Sequence, residues 1–197
     1  MRYLTYIFPL ILLFFTACGG GGSDNQSQTE SNQGNSETQT SPQQSPDVRT
    51  IDIIGIDKMK YVVKEEGEMI GTAGTVETAQ GDPYVLLESI DAQPGEEIRI
   101  RLITKSQLPA QAMSHNYVQL KQTADVEAFN KAAVKAKDND YIPSDMSDQI
   151  IAHTELAAQG ETVEVTFTVP EETGEYPYLC SFPAHYSAGM KGTLNVQ

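Results

Sequence analysis

From residue 49 onward, hydrophobic and polar residues alternate in short runs that predict β-strands. The clearest run covers residues 161–169, where Val163, Val165, Phe167 and Val169 alternate with polar residues. Weaker runs cover residues 50–53, 58–61, 83–90, 97–103, 150–156, 176–180 and 192–196. Residues 65–82 are rich in Gly, Thr and charge and predict a loop with a ragged strand. About eight short strands divided by turn residues favour an all-β sandwich over an α/β fold.

One segment has helical spacing instead. Residues 124–139 carry Val126, Phe129, Ala133 and Val134 at intervals of three or four, with Thr123 or Asp125 as the candidate N-cap. We expect a helix packed on the outside of the sandwich, with this apolar stripe in contact with the core.

Two segments of different composition precede the strands. Residues 1–17 have Arg2 near the start and an apolar run over residues 7–15, which is too short to span a membrane and typical of an export signal. The small residues before Cys18 predict a bacterial lipoprotein in which Cys18 is lipidated and becomes the first residue of the mature chain. An ordinary secretory signal, cleaved nearby, is the alternative.

Residues 18–48 consist mainly of Gly, Ser, Gln, Asn and Thr, with almost no large apolar side chain. Such a segment buries too little surface to offset the entropy of ordering, so it predicts a disordered linker. Its span is roughly 30 Å on average and about 100 Å when stretched. It serves either as a tether of functional length or as a plain spacer between the lipid and a folded domain over residues 49–197.

The charge of the chain limits the classes of partner. There are 27 acidic and 13 basic residues, for a formal net charge of -14. A nucleic-acid partner is therefore excluded, whereas a partner with a positively charged patch fits. Solubility alone also accounts for an acidic surface. The two cysteines are too few for a disulfide framework, and we assign them to different chemistry.

A run near the C-terminus has the spacing C-x4-H-x4-M, formed by Cys180, His185 and Met190. Thiolate, imidazole and thioether are soft ligands that suit copper. The run lies on a loop between two predicted strands. A trigonal copper site needs a second imidazole, and His115 is the candidate; His115, Cys180 and His185 then form the plane, with Met190 as the weak axial ligand. Zinc suits thiolate and imidazole as well, as a misloaded form. His153 fits no ligand spacing and is interpreted as a surface residue.

Four stretches resemble the azurin and auracyanin branch of the cupredoxins, the small blue-copper electron carriers. They are MSHNYVQL at 113–120, IIAHTEL at 150–156, VTFTV at 165–169 and YPYLCSFPAHYSAGMKGTLNV at 176–196. The four-residue gap between His185 and Met190 is similar to that of auracyanin and one longer than in azurin. The resemblance covers residues 49–197 and implies a Greek-key β-sandwich of the cupredoxin type with a helical insertion and one type 1 copper ion.

The resemblance also implies roles for residues around the ligands. The carbonyl of Ser114, where the family usually has Gly, is a candidate for a weak axial contact opposite Met190. Asn116 is expected to tie the two ligand loops together. Backbone N–H groups near Asn116 and Phe182 are expected to bond to the Cys180 sulfur and help to set the reduction potential.

The function that the resemblance implies is electron transfer by a monomeric, exported protein, anchored to the membrane and facing the periplasm or cell exterior. Electrons would pass through an exposed edge of His185, framed by an apolar docking rim of Met59, Met113, Pro183 and Ala184. The expected partners are cytochrome c or membrane complexes of respiration or photosynthesis. A copper chaperone or storage protein of the cell envelope is the alternative.

An enzyme is not expected. Nitrite reductases and multicopper oxidases need a further catalytic copper with several more histidines, and only His153 is left over. A dinuclear electron-entry centre needs two cysteines in the metal loop, where only Cys180 is present.

Overall fold

A computed structural model describes residues 48–78 and 81–197. The predicted export signal, Cys18 and nearly all of the predicted linker lie outside the described residues. Within the part of the chain that is described, no helix is long and apolar enough to cross a membrane.

The described residues form ten strands, one α-helix and two short 3-10 helices. The strands are β1 Arg49–Ile56, β2 Lys60–Val63, β3 Ile70–Glu77, β4 Pro83–Ala92, β5 Glu97–Lys105, β6 Val118–Leu120, β7 Ile150–His153, β8 Thr162–Thr168, β9 Gly174–Leu179 and β10 Lys191–Val196. The helix α1 covers Val126–Ala133, and the 3-10 helices cover Lys137–Asn139 and Ser144–Gln149. The predicted all-β class is confirmed, with ten strands in place of about eight.

The strand that the sequence showed least clearly is β3. Its residues are Gly- and Thr-rich and half-buried or exposed, so little alternation was visible. It forms by antiparallel pairing with β4, and the pairing shifts register twice. The β4 strand thus supplies the order that the local sequence of β3 lacks.

The strands are joined in the order β7-β6-β9-β10-β4-β2-β1-β5-β8, with β3 paired to β4. Two of the pairings are parallel, β1 with β5 and β10 with β4, and link strands far apart in sequence. The others are antiparallel, as in a β-sandwich. The neighbours β6, β9 and β10 matter most for function, because the segments that carry the predicted ligands begin or end on them.

The main core lies between the inward faces of these strands. Ile51 and Ile53 of β1 are buried in it, together with Ile98, Ile100 and Leu102 of β5. Burial of each such side chain stabilises the fold by roughly 1.5–3 kcal/mol. The hydroxyl of Tyr176, at the start of β9, donates to the carbonyl oxygen of Glu172 at 2.8 Å. This contact is a tyrosine corner, as found in β-sandwiches.

The helix is shorter than predicted. Its N-cap is Asp125, whose side chain accepts a hydrogen bond from the N–H of Ala128. Phe129 and Ala133 are buried against β6 and β9 residues, but Val134 is 46% exposed, so the prediction that Val134 contacts the core is wrong. The chain leaves the α-helical path at this point and forms a separate 3-10 turn over Lys137–Asn139. The helix therefore packs against β6 and β9, the two strands that adjoin the ligand segments.

Candidate metal centre

Three predicted ligands meet at one end of the sandwich. The ligand atoms of His115, Cys180 and His185 all lie within 4.8 Å of one another. The two Nδ1 atoms are 3.2 Å apart, and the Sγ of Cys180 lies 3.3 Å from the Nδ1 of His185. Among the described residues, this is the one such cluster of histidine, cysteine and acidic side chains. All three residues are buried, so the donors face each other away from bulk solvent.

Backbone bonding fixes the position of His115. Its N–H donates to the carbonyl oxygen of Ala157 at 3.0 Å, and the N–H of Ala157 donates back to the carbonyl of His115 at 2.7 Å. This isolated antiparallel bridge lies just before β6. Both backbone polar groups of His115 are therefore bonded to Ala157, and this fixes the backbone from which the imidazole projects.

The other two donors lie on a closed loop. Cys180 follows the last residue of β9, and Met190 precedes the first residue of β10. The N–H of Cys180 donates to the carbonyl of Met190 at 3.0 Å, and the N–H of Met190 donates to the carbonyl of His185 at 2.9 Å. Because β9 and β10 are paired, the ends of the loop cannot separate without breaking the sheet.

Asn116 joins the two ligand segments, as the resemblance implies. Its Oδ1 accepts a hydrogen bond from the N–H of Ser181 at 2.9 Å, and its Nδ2 donates to the Ser181 Oγ at 2.8 Å. The side chain is fully buried. Removal of the amide would leave a buried N–H without a partner, at a cost of about 1–3 kcal/mol.

The thiol of Cys180 is protonated in the metal-free site. Burial raises its pKa to about 12, against the opposing effect of hydrogen bonds from the backbone N–H groups of Asn116 and Phe182. These are the two N–H groups that the sequence analysis assigned to the sulfur. A thiolate in this cavity requires a nearby cation, and a coordinated metal ion supplies that charge.

The two imidazoles are neutral at physiological pH. Burial lowers the pKa of His115 to about 3, with a smaller contribution from His185, and burial lowers the pKa of His185 to about 4. A neutral imidazole is the form that binds a metal. The Nε2 of His115 is buried without a hydrogen-bond partner among the described residues. Two neutral imidazoles and a thiol in a dry cavity fit copper, the soft-ligand metal of the prediction.

The proposed axial ligands are also at the site. Met190 is fully buried in the same core cluster as Cys180, and Ser114 is buried beside His115. The Ser114 hydroxyl donates to the carbonyl of Ala110 at 2.9 Å, which fixes the turn before His115. Axial contact of the Met190 sulfur and the Ser114 carbonyl with the metal stays a prediction.

The prediction of an exposed His185 edge is wrong for the side chain as a whole. His185 is only 1% exposed. The Phe182 ring lies with its centroid 4.8 Å from that of His185, and the His115 ring lies 4.9 Å away on another side. The sequence placed Phe182 in the loop but did not reveal that its ring folds back over the ligand.

The four residues of the predicted docking rim differ in exposure, and their role in docking stays a prediction. Ala184 is exposed, Met59 and Pro183 are half-buried, and Met113 is buried, so Met113 offers little surface. Leu108 is a further exposed apolar residue, 41% exposed, on the loop that leads to His115. In the sequence, the only signal for it is its place in the apolar run Leu108-Pro109-Ala110 just before the ligand segment.

An aromatic contact that the sequence did not predict lies next to the site. Tyr141 packs edge-on against Phe182 with ring centroids 5.2 Å apart. Asp140 and Tyr141 both have positive φ, at 49° and 59°, so no regular pattern pointed to the position of this ring. His153 is exposed, with its Nδ1 3.1 Å from the carbonyl oxygen of Thr154, which agrees with its interpretation as a surface residue.

The metal-free protein is expected to lose stability as the pH falls from about 7 to about 5. Unfolded histidines have a pKa near 6.5, whereas the folded pKa values of His115 and His185 are about 3 and about 4. The unfolded chain therefore takes up protons first, and stability present above the unfolded pKa is lost on acidification. Relative to neutral pH, protonation of each of these two imidazoles in the unfolded chain lowers the free energy of unfolding by roughly 2 kcal/mol at pH 5.

Urea denaturation of the metal-free protein at several pH values measures this effect. His115→Gln should flatten the pH dependence, because one buried imidazole is gone. His153→Gln, which changes an exposed imidazole, should retain it. A urea midpoint that is constant across this range would contradict the assigned burial of the two ligands.

Comparison with known proteins agrees with this geometry. Residues 73–197 match the family model described as copper binding proteins, plastocyanin/azurin family. An azurin from Alcaligenes faecalis is 36% identical over 103 residues, which cover 51% of this chain and 79% of the azurin. Auracyanin-B from Chloroflexus aurantiacus is 38% identical over 100 residues, which cover 50% of this chain and 41% of that relative.

Solved structures show the same similarity. Auracyanin from the photosynthetic bacterium Roseiflexus castenholzii, solved in the dithionite-reduced form, superimposes with a TM-score of 0.55 at 27% identity. The superposition covers 75% of this chain and 96% of that auracyanin. The chain belongs to the plastocyanin/azurin family of copper-binding proteins and is a blue copper electron-transfer protein.

Proposed function

We propose that this protein is a membrane-tethered electron carrier of the cell envelope, with one type 1 copper held by His115, Cys180, His185 and Met190. The observation that carries the proposal is the convergence of a buried thiol and two buried neutral imidazoles within 4.8 Å. Copper bound there supplies one-electron chemistry by alternating between Cu(II) and Cu(I).

The contribution of the chain is a fixed set of donors. His115 is held by its bridge to Ala157, and the Cys180–Met190 loop is closed by its own backbone bonds. Asn116 links the two segments through Ser181. Donors that cannot rearrange suit rapid electron transfer, because the two oxidation states of copper then share one ligand arrangement. The Met190 sulfur and the Ser114 carbonyl would supply the further, weak ligands that the sequence predicts.

Copper storage or delivery fits the structure less well. A protein that hands copper to another protein needs donors that the recipient can reach. Here the three donor residues are at most 1% exposed, and Met190 is fully buried. Release would require the ligand loop to open against the β9–β10 pairing.

The partner is proposed to be a redox protein, either a cytochrome c or a membrane complex of respiration or photosynthesis. Electrons would pass over the short distance between His185 and the apolar surface of Ala184, Pro183 and Met59. A small apolar contact of this kind favours brief docking, as fast electron exchange requires. The net charge of -14 adds long-range attraction to a partner with a positive patch.

The copper assignment is tested by visible and EPR spectra of the full-length protein loaded with Cu(II). We expect an intense blue thiolate-to-copper absorption that disappears on reduction and returns on oxidation. Cys180→Ser should lose the band completely, because the serine hydroxyl does not supply the thiolate from which the absorption arises. A colourless complex, or one stripped rapidly by a chelator, would favour copper handling over electron transfer.

The exchange surface is tested by Ala184→Glu, with Ala184→Gln as a control of the same size without charge. The Glu variant should slow electron exchange with a cytochrome c, because a buried carboxylate at the contact is costly to desolvate. The Gln variant should retain most of the rate. Both should keep the wild-type copper spectrum, since Ala184 is exposed. Equal rates for the Glu variant and the wild type would count against this surface.

The cellular location is proposed from the sequence alone, with Cys18 as the lipidated residue. Two outcomes separate the alternatives when the full-length protein is produced in a bacterium. Cys18→Ser should move the protein from the membrane fraction to the soluble fraction, while His153→Gln should leave it in the membrane. If the wild-type protein is already soluble and begins at another residue, an ordinary secretory signal is correct.

A further inference from the structure

The hairpin formed by β1 and β2, Arg49–Ile56 and Lys60–Val63, supplies no predicted ligand. It also lies outside residues 73–197, which match the family model. Nevertheless, both of its strands touch the ligand segments. We propose that this hairpin positions the metal ligands, with Gly55 as the positioning residue for His115 and Lys60 as the positioning residue for the Cys180–Met190 loop. The inference rests on the proposed type 1 site and not on the partner.

Gly55 forms the wall behind the His115 ring. A Cβ atom at Gly55 would lie 2.6 Å from the Cδ2 of His115 and 2.8 Å from its Cγ. The backbone at Gly55 does not have positive φ, so other residues suit its conformation. Glycine is therefore required for space, since the imidazole lies directly against the strand.

The backbones of both Gly55 and His115 are fixed by hydrogen-bonded pairing, so neither residue can move away from the other. Gly55 is paired in register with Tyr61 of β2 on one side and with Thr104 of β5 on the other. On the other side, His115 is fixed by its two backbone bonds to Ala157. The contact between the glycine and the ring thus determines how far the imidazole extends toward the sulfur of Cys180.

Tyr61 makes a second contact from the same face of the hairpin. It is opposite Gly55 in the β1–β2 pairing, and its hydroxyl donates to the carbonyl of Asn116, the residue after His115. The tyrosine is buried, with 1% exposure. The hairpin therefore contacts two consecutive residues of the first ligand segment, His115 through Gly55 and Asn116 through Tyr61.

Lys60 makes the third contact, with the other ligand segment. Its ammonium donates to the carbonyl of Ala188, in the turn between His185 and Met190. The next residue, Gly189, has a φ of 91°, and a Cβ there would lie 2.6 Å from the Nζ of Lys60. The ammonium of Lys60 thus occupies the space that a side chain at Gly189 would need. A fixed positive charge beside the loop also favours the oxidation state of the site with less positive charge, so its removal should lower the reduction potential.

The Gly55 contact is tested in the metal-free protein by a double-mutant cycle with His115→Ala. Gly55→Ala should lower the urea midpoint of the wild-type background and lose most of that effect in the His115→Ala background, where the ring is absent. Gly67→Ala is the control, because a Cβ at Gly67 would meet only Ile70, at 3.5 Å or more. Equal shifts in both backgrounds would overturn the role of Gly55. Because no copper is involved, this result is independent of the proposed electron transfer.

The Lys60 contact is tested by Lys60→Met, Lys60→Arg and the control Lys58→Met in the copper-loaded, full-length protein. Lys58 lies in the same hairpin turn and is exposed. Lys60→Met should lower the reduction potential, change the copper hyperfine coupling in EPR and release copper to a chelator roughly tenfold faster. Lys60→Arg should restore most of the potential, and Lys58→Met should leave all three readouts near wild type.

Two results would overturn the role of Lys60. If Lys58→Met shifts the potential as far as Lys60→Met does, the effect is that of surface charge in general. If Lys60→Met changes neither the hyperfine coupling nor the release rate, the lysine does not position the loop. If the copper-loaded wild-type protein shows no blue absorption, the proposed function fails instead. The spectrum of the wild-type protein is recorded before any variant, so the two failures are distinguished.

Discussion

Exclusion of water from the donor cavity is the constraint on which the rest of the site depends. Burial raises the pKa of the Cys180 thiol to about 12 and lowers the pKa values of His115 and His185 to about 3 and about 4, so all three groups are neutral without metal. The chain can therefore fold around this cavity without burying an unpaired charge there, which would be costly. With a metal cation bound, Cys180 would be held as the thiolate, its proton would be released to solvent, and the cation would balance the negative charge of the sulfur.

Much of this was predictable because the ligand spacing is local and the strands alternate clearly. Cys180, His185 and Met190 lie within eleven residues, and the alternation of residues 161–169 required no tertiary information. The burial of His185 could not be predicted, since it depends on contacts that only the fold shows, such as that with the Phe182 ring, whose centroid lies 4.8 Å away. The β3 strand was predicted only as a ragged strand within residues 65–82, because β4, and not its own sequence, orders it. The exposed Val134 was misjudged because helical spacing does not show where a helix ends.

The hairpin contacts illustrate a second limit of the sequence. Nothing in the residues near Gly55 indicates that its missing side chain makes room for His115, sixty positions later. Likewise, Lys60 appears as one polar residue among others until the fold places it beside Ala188. The family similarity explains which donors are present. The local packing of this chain, including residues outside the matched region, determines how those donors are held.

The parallel pairing of β10 with β4 has a consequence for the order of events during synthesis. Thr193 to Val196 pair with Ser89 to Ala92, so the sheet closes through contacts about a hundred residues apart. Such long-range pairing makes folding slow relative to proteins with local contacts. The Cys180–Met190 loop lies just before β10, and it acquires its closed form only when β10 has joined the sheet. His115 precedes β10 by about 75 residues in the chain, and a complete copper site therefore exists only after β10 has been made and paired.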